Sequence, residues 1–190
     1  KIGMKDKIMK IARALDIKEE QLDDLLIWIS DGFNILNKMS LDNLRDIIIK
    51  HKPELVVIDS IAKVFPLSER NESDVRKIYT FLKPYIVEFG VTFVLIHHAR
   101  KKNFLQTSRD MEDISGSREF AAMADSILLL DELKEGRYLL KQVKNRYSSK
   151  VYAENFEVTG DDNVMMIEYC GKVKDVYLAK AEKCRDAMII

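Results

Sequence analysis

Asp59 follows the wholly apolar run Leu55-Val56-Val57-Ile58. Four apolar residues and then a carboxylate describe a buried parallel strand with an acid at its C-terminal lip, where open α/β sheets bind ligands. In a nucleotide site such an aspartate holds the metal-bound water that bridges to the β and γ phosphates. The same pattern suits a structural cap. Receiver and haloacid-type phosphotransfer domains also place an aspartate there, although the haloacid type usually carries a second one two residues on, where this chain has Ile61. A second apolar run, Val94-Leu95-Ile96, ends in His97-His98 and should bring both histidines to the same lip. Strand alternation sends them to opposite faces, one able to sense a phosphate and the other packed inward.

Two basic groupings complete the chemistry. The stretch Ala99 to Asp113 holds Arg100, Lys101, Lys102 and Arg109 against Asp110, Glu112 and Asp113, with Phe104 and Leu105 between them. Cations with an aromatic at a loop tip suit a strand-tracking contact to single-stranded DNA, and mixed charge equally suits a solvated loop. Further on, Lys144 and Arg146 stand two apart in Lys141-Gln142-Val143-Lys144-Asn145-Arg146. That spacing projects both from one strand face towards a single anion, or leaves them as a solvated hairpin end.

The elements that position these residues are legible from periodicity. Ile8, Ile11, Ala12 and Leu15 give an amphipathic surface helix, and Leu25 to Ile29 is expected to be the first strand. Ser40 is expected to cap a helix with Leu41, Leu44, Ile47 and Ile48 on one face, stopped by Pro53. Ser73 opens a longer helix with Val75, Ile78, Tyr79, Leu82, Ile86 and Phe89 inward, ended by Gly90 and expected to kink at Pro84. Continuous apolar strands alternating with helices predict a parallel sheet covered on both faces. After Ala99 the rhythm changes to a polar loop and a short helix at Ser117 to Met123. The hairpin Ser126–Leu130/Tyr138–Val143 turns at Glu135-Gly136, and a second hairpin turns at Thr159 to Asp162. The end, 175–190, reads as helical.

Composition sets the bounds. At 190 residues and 47% hydrophobic content the chain supports one core, and 31 basic against 31 acidic residues leave no global attraction to nucleic acid. No apolar run approaches membrane-spanning length, so a soluble cytoplasmic protein with no membrane partner is expected. Cys170 and Cys184 lack metal or disulfide-framework spacing and read as reduced structural residues.

The order and spacing of Leu55 to Ser60, Leu95 to Lys101, Ile114-Ser115-Gly116-Ser117 leading to Ala124-Asp125-Ser126 and the run to Leu130, then Lys144-Asn145-Arg146, resemble the RepA-like branch of RecA-type hexameric helicases, and DnaB-type helicases at greater distance. The resemblance implies an α/β, RecA-like three-layer core with a mainly parallel sheet over 1–174, followed by antiparallel hairpins and a C-terminal helix, 175–190, that could start a further domain. It implies Asp59 as the Walker B aspartate beside Ser60, holding Mg2+, and His97 or His98 as the γ-phosphate sensor. Ala99 to Asp113 becomes the DNA-facing loop, and Lys144 and Arg146 the lysine and arginine finger offered to the next subunit's ATP. The implied protein is an ATP-driven helicase motor on single-stranded DNA, assembled as a homo-oligomeric, hexameric ring. The sequence departs from the family in having no Gly-x-x-x-x-Gly-Lys-Ser/Thr and no catalytic glutamate after a second core strand. Both are expected before Lys1, so the 190 residues are expected to be inactive alone. The rivals are a RecA-like ATPase that is not a helicase, such as a recombination mediator or signalling ATPase, and a RecA-fold scaffold without activity.

Overall fold

The computed structural model describes residues 2–26, 32–65, 72–98, 117–149 and 153–172. The chain is α/β and divides into two compact units, 30–124 on one side and 1–29 with 125–190 on the other.

The unit spanning 30–124 is a βαβ arrangement with helical cover. It contains α2 (Lys38–His51), β1 (Leu55–Asp59), α3 (Ile61–Val64), α4 (Glu72–Phe89), β2 (Thr92–Ile96) and α5 (Ser117–Met123), following α1 (Ile2–Ala14) of the other unit in chain order. β1 and β2 pair in parallel, with Leu55 opposite Thr92 and Asp59 opposite Ile96. Val56, Ile58, Phe93 and Leu95 face a core containing Ile35, Ile61, Phe65, Ile78 and Leu82. The other face is not covered as the apolar runs predict, since Leu55, Val57, Val94 and Ile96 are 54, 53, 43 and 37% exposed. Continuous hydrophobicity in a strand records two faces fit for burial, whereas the helices described here occupy only one.

The helix boundaries show which local groups satisfy the open backbone. Asn37, not Ser40, caps α2: its Oδ1 accepts from the Met39 N–H at 2.8 Å and the Ser40 N–H at 3.4 Å. Ser40 lies within the first turn, and its hydroxyl accepts from the Asn34 N–H at 3.3 Å. Lys52, in the left-handed region at φ 46°, ends α2 before Pro53 by returning its N–H to the Ile48 carbonyl at 2.8 Å. α4 is assigned as one helix through Pro84 and closes at Gly90, φ 69°, whose N–H reaches the Ile86 carbonyl. Its buried stripe is Val75, Ile78, Leu82 and Tyr85, while Tyr79 and Ile86, expected inward, stand at the stripe's edge and are exposed. Tyr85 can go inward because its hydroxyl donates to the Leu41 carbonyl at 2.9 Å. Burial raises the Tyr85 pKa above the ordinary phenol value.

The second unit carries α1 and an antiparallel meander of β3 (Ser126–Lys134), β4 (Arg137–Asn145), β5 (Glu154–Gly160) and β6 (Met165–Lys172) in sequential order, with α1 against β6. Both expected hairpins form, with strands longer than the apolar runs. In the second turn Asp161 accepts from the Asn163 and Val164 N–H groups at 2.7 and 3.0 Å, which holds its carboxyl below the usual range. Gly160 is required there, because a Cβ would run into the Val164 carbonyl oxygen. The expected first strand does not begin where the sequence places it: Leu25 and Leu26 are irregular and half exposed, and 27–29 lie outside the described residues. The helix expected at 175–190 also lies outside the described residues. None of the described helices is long and apolar enough to cross a membrane.

Candidate functional site

The parallel pair brings Asp59 and the two histidines to one end of the sheet. Asp59 is the last residue of β1, exposed, and opposite Ile96, the last residue of β2. Alternation then separates the histidines. His98 is exposed on the side of Val94, Ile96 and Asp59, whereas His97 turns inward with Phe93 and Leu95. The His97 ring meets Phe120 of α5 edge-on, with centroids 5.2 Å apart and planes at 64°, and both its ring nitrogens are buried. Ser60 is also inward, 1% exposed, at the N-terminus of α3, and the Asp59–Ser60 peptide is cis.

α5 is fixed to α4 by a forked ion pair. Arg76 donates through Nε and Nη2 to the two oxygens of Glu119 at 2.8 and 2.7 Å. Glu119 is 9% exposed, and the guanidinium holds its carboxyl below the usual range. This clamp matters to the lip because α5 carries Phe120, the ring against His97.

Lys144 and Arg146 belong to the other unit. β3 and β4 run in simple hairpin register at Lys134–Arg137, slip by one at Leu133, and slip back at Val143, so that Ile127 faces Lys144 and Ser126 faces Asn145. The next position pairs Asp125 with Arg146. The Arg146 N–H donates to the Asp125 carbonyl at 2.8 Å, and Arg146 Nη1 lies 2.9 Å from Asp125 Oδ1. The Tyr147 hydroxyl donates to the same oxygen at 3.3 Å. Asn145 is tied to the opposite face through Gln142 at 3.4 Å, which in turn donates to Ser126 Oγ at 3.0 Å. Lys144 and Arg146 therefore share a face, as their spacing predicts, and Asp125 shares it with them. Burial depresses the Lys144 pKa first and the Arg146 charge depresses it further, while Asp125 partly offsets both.

Asp125 and Tyr147 are the residues that motif reading passed over as possible partners of this basic pair. The signal was available: counting outward from Glu135-Gly136 in an unbulged hairpin already puts Asp125 opposite Arg146. Arg100, Lys101, Lys102, Phe104 and Arg109 lie outside the described residues.

A family described as AAA domain matches residues 9–103, half of the chain and the span that includes Asp59, Ser60, His97 and His98. The chain belongs to the AAA domain family. No curated protein sequence matches it. Membership in this AAA-type family of P-loop ATPases points to ATPase activity and nucleotide binding, with Mg2+ the usual companion ion. Among the described residues no three His, Cys, Asp or Glu side chains gather as a metal cage. Mg2+ needs none, since it keeps several waters and takes one or two carboxylates beside the phosphates of its nucleotide. A single outward carboxylate at the strand lip, Asp59, fits that role within the AAA domain.

Proposed function

We propose that this AAA domain protein is an ATP-driven motor of the RepA/DnaB-like type that acts on single-stranded DNA, working as a homo-oligomeric, hexameric ring around a RecA-like core. Asp59 would hold Mg2+ through a bound water beside the phosphates of ATP, where the ion would supply neutralising charge. His98 is the residue that senses the γ-phosphate. Its outward side, shared with Asp59, supports it over His97, whose ring is committed to Phe120. Ser60 contributes through the backbone, since its side chain is buried. Lys144 and Arg146 act on the ATP of a neighbouring subunit, where an arginine finger contributes about three to five orders of magnitude in rate. Arg100, Lys101, Lys102, Phe104 and Arg109 track the DNA strand by phosphate neutralisation and stacking.

The observation that carries this reading is the basic pair on one face, with the Arg146 side chain 40% exposed at the end of β4, Lys144 half-buried beside it and Asp125 behind them. Mixing subunits tests it in the full-length protein. Arg146→Ala and Asp59→Asn should each abolish turnover in homogeneous rings, while a mixed ring regains some interfaces with both halves intact. Recovery on mixing is expected. A mixture as dead as its parents, with subunit exchange confirmed, or parental turnover by Arg146→Ala, would refute a shared site.

A further inference from the structure

An exposed arginine is a poor catalytic group unless something restricts it. The side chain carries about 2 kcal/mol of rotamer entropy, which a transition-state contact must overcome each time it forms. Arg146 is restricted by two contacts to Asp125, and Asp125 is itself held by Tyr147. Its backbone N–H is bonded to the Asp125 carbonyl at 2.8 Å, its Nη1 is paired with Asp125 Oδ1 at 2.9 Å, and that oxygen also accepts from the Tyr147 hydroxyl at 3.3 Å. The strand ends are themselves anchored. Asn145 bonds Ser148 Oγ at 2.7 Å, its Oδ1 accepts from the Tyr147 N–H at 3.2 Å, and Gln142 ties β4 to Ser126.

We infer that Asp125 is the positioning residue of Arg146, holding its guanidinium ready for a neighbour's phosphate and doing so with Tyr147 as a second tether. This rests on the finger reading of Arg146 and extends it to the residue that restricts the finger. A guanidinium has five N–H donors in a fixed fork, so a carboxylate oxygen engaging Nη1 does not exhaust it. Asp125 also offsets the repulsion between two cations: it raises the Lys144 pKa, against burial and Arg146, which lower it. Phosphate can therefore bind a preformed arrangement rather than assemble one.

Two measurements decide the matter. The first needs no activity: hydrogen exchange of the Arg146 Nη hydrogens, which the Asp125 oxygen engages, followed by NMR in the full chain. An exposed ion pair is worth about 0.2–1 kcal/mol, so Asp125→Asn should speed exchange up to about fivefold and Tyr147→Phe less. Unchanged exchange in Asp125→Asn overturns the inference. The second is ATP turnover in the full-length protein. Asp125→Asn should lower kcat up to about fivefold with KM for ATP unchanged, by the same ion-pair estimate, and should have no effect when Arg146 is already alanine. Asp125→Glu should restore part of the loss. An equal loss in both backgrounds, or a change confined to KM, means Asp125 acts by another route. Parental turnover in Arg146→Ala instead removes the finger reading, and the exchange rate then decides on its own whether Asp125 holds Arg146.

Discussion

Replacing His97 and His98 separately by alanine should produce opposite phenotypes, because the fold gives these adjacent, chemically identical residues different surroundings. His97 packs edge-on against Phe120 at 5.2 Å with both ring nitrogens buried. A ring pair of this kind contributes about 0.5–1.5 kcal/mol beyond simple burial. Truncation also leaves a cavity, so His97→Ala should cost about 1–3 kcal/mol in all. For a unit the size of 30–124 each kcal/mol moves Tm by about 4–8 °C, giving an expected fall of about 5–20 °C. His98 is exposed, and His98→Ala should stay within about 0.5 kcal/mol of the parent. Far-UV circular dichroism melts of the chain read the first effect. ATP turnover in the full-length protein reads the second, where His98→Ala should depress kcat while the folded fraction stays at the parental level. A stable His97→Ala beside an unstable His98→Ala would show that the faces are reversed, and equal Tm shifts would refute the separation of the two histidines by alternation.

Asn37→Ala should destabilise the 30–124 unit by about 1 kcal/mol in chemical denaturation, since Asn37 Oδ1 caps two N–H groups of α2, and Ser40→Ala should cost less. Tyr85→Phe should cost about 1 kcal/mol by the same measurement, because it removes the hydroxyl's bond to the Leu41 carbonyl. Glu119, with its pKa lowered by Arg76, contributes stability that is complete above the ordinary carboxylate value and is lost as pH falls through the lowered one. Urea midpoints taken from neutral to acid pH should therefore fall less steeply for Glu119→Gln than for the parent, and parallel curves would contradict the Arg76 pairing.

Much of the site was present in residue order. Four apolar residues before Asp59 dictate a strand with a carboxylate at its end, because alternation and apolar burial act within a few residues. The same locality made the β3–β4 hairpin legible from Glu135-Gly136 and the end of α4 from Gly90. The membership of Lys144 and Arg146 in one face followed from a period of two.

Other features depended on contacts distant in sequence. Periodicity assigned His97 and His98 to opposite faces without saying which face was the core, and that choice came from Phe120 on α5. Apolar content in β1 and β2 could not report that one face stays exposed, because hydrophobicity measures fitness for burial and not the presence of a covering layer. The inward turn of Tyr85 required the Leu41 carbonyl, 44 positions away, to satisfy its hydroxyl. The turn at Glu135-Gly136 sets Asp125 opposite Arg146, but it does not show that the pairing slips by one at Leu133 and returns at Val143, so that the strands between these two bulges meet in a different register. A hairpin turn fixes the overall register, whereas the places where that register slips are decided by cross-strand hydrogen bonds and packing.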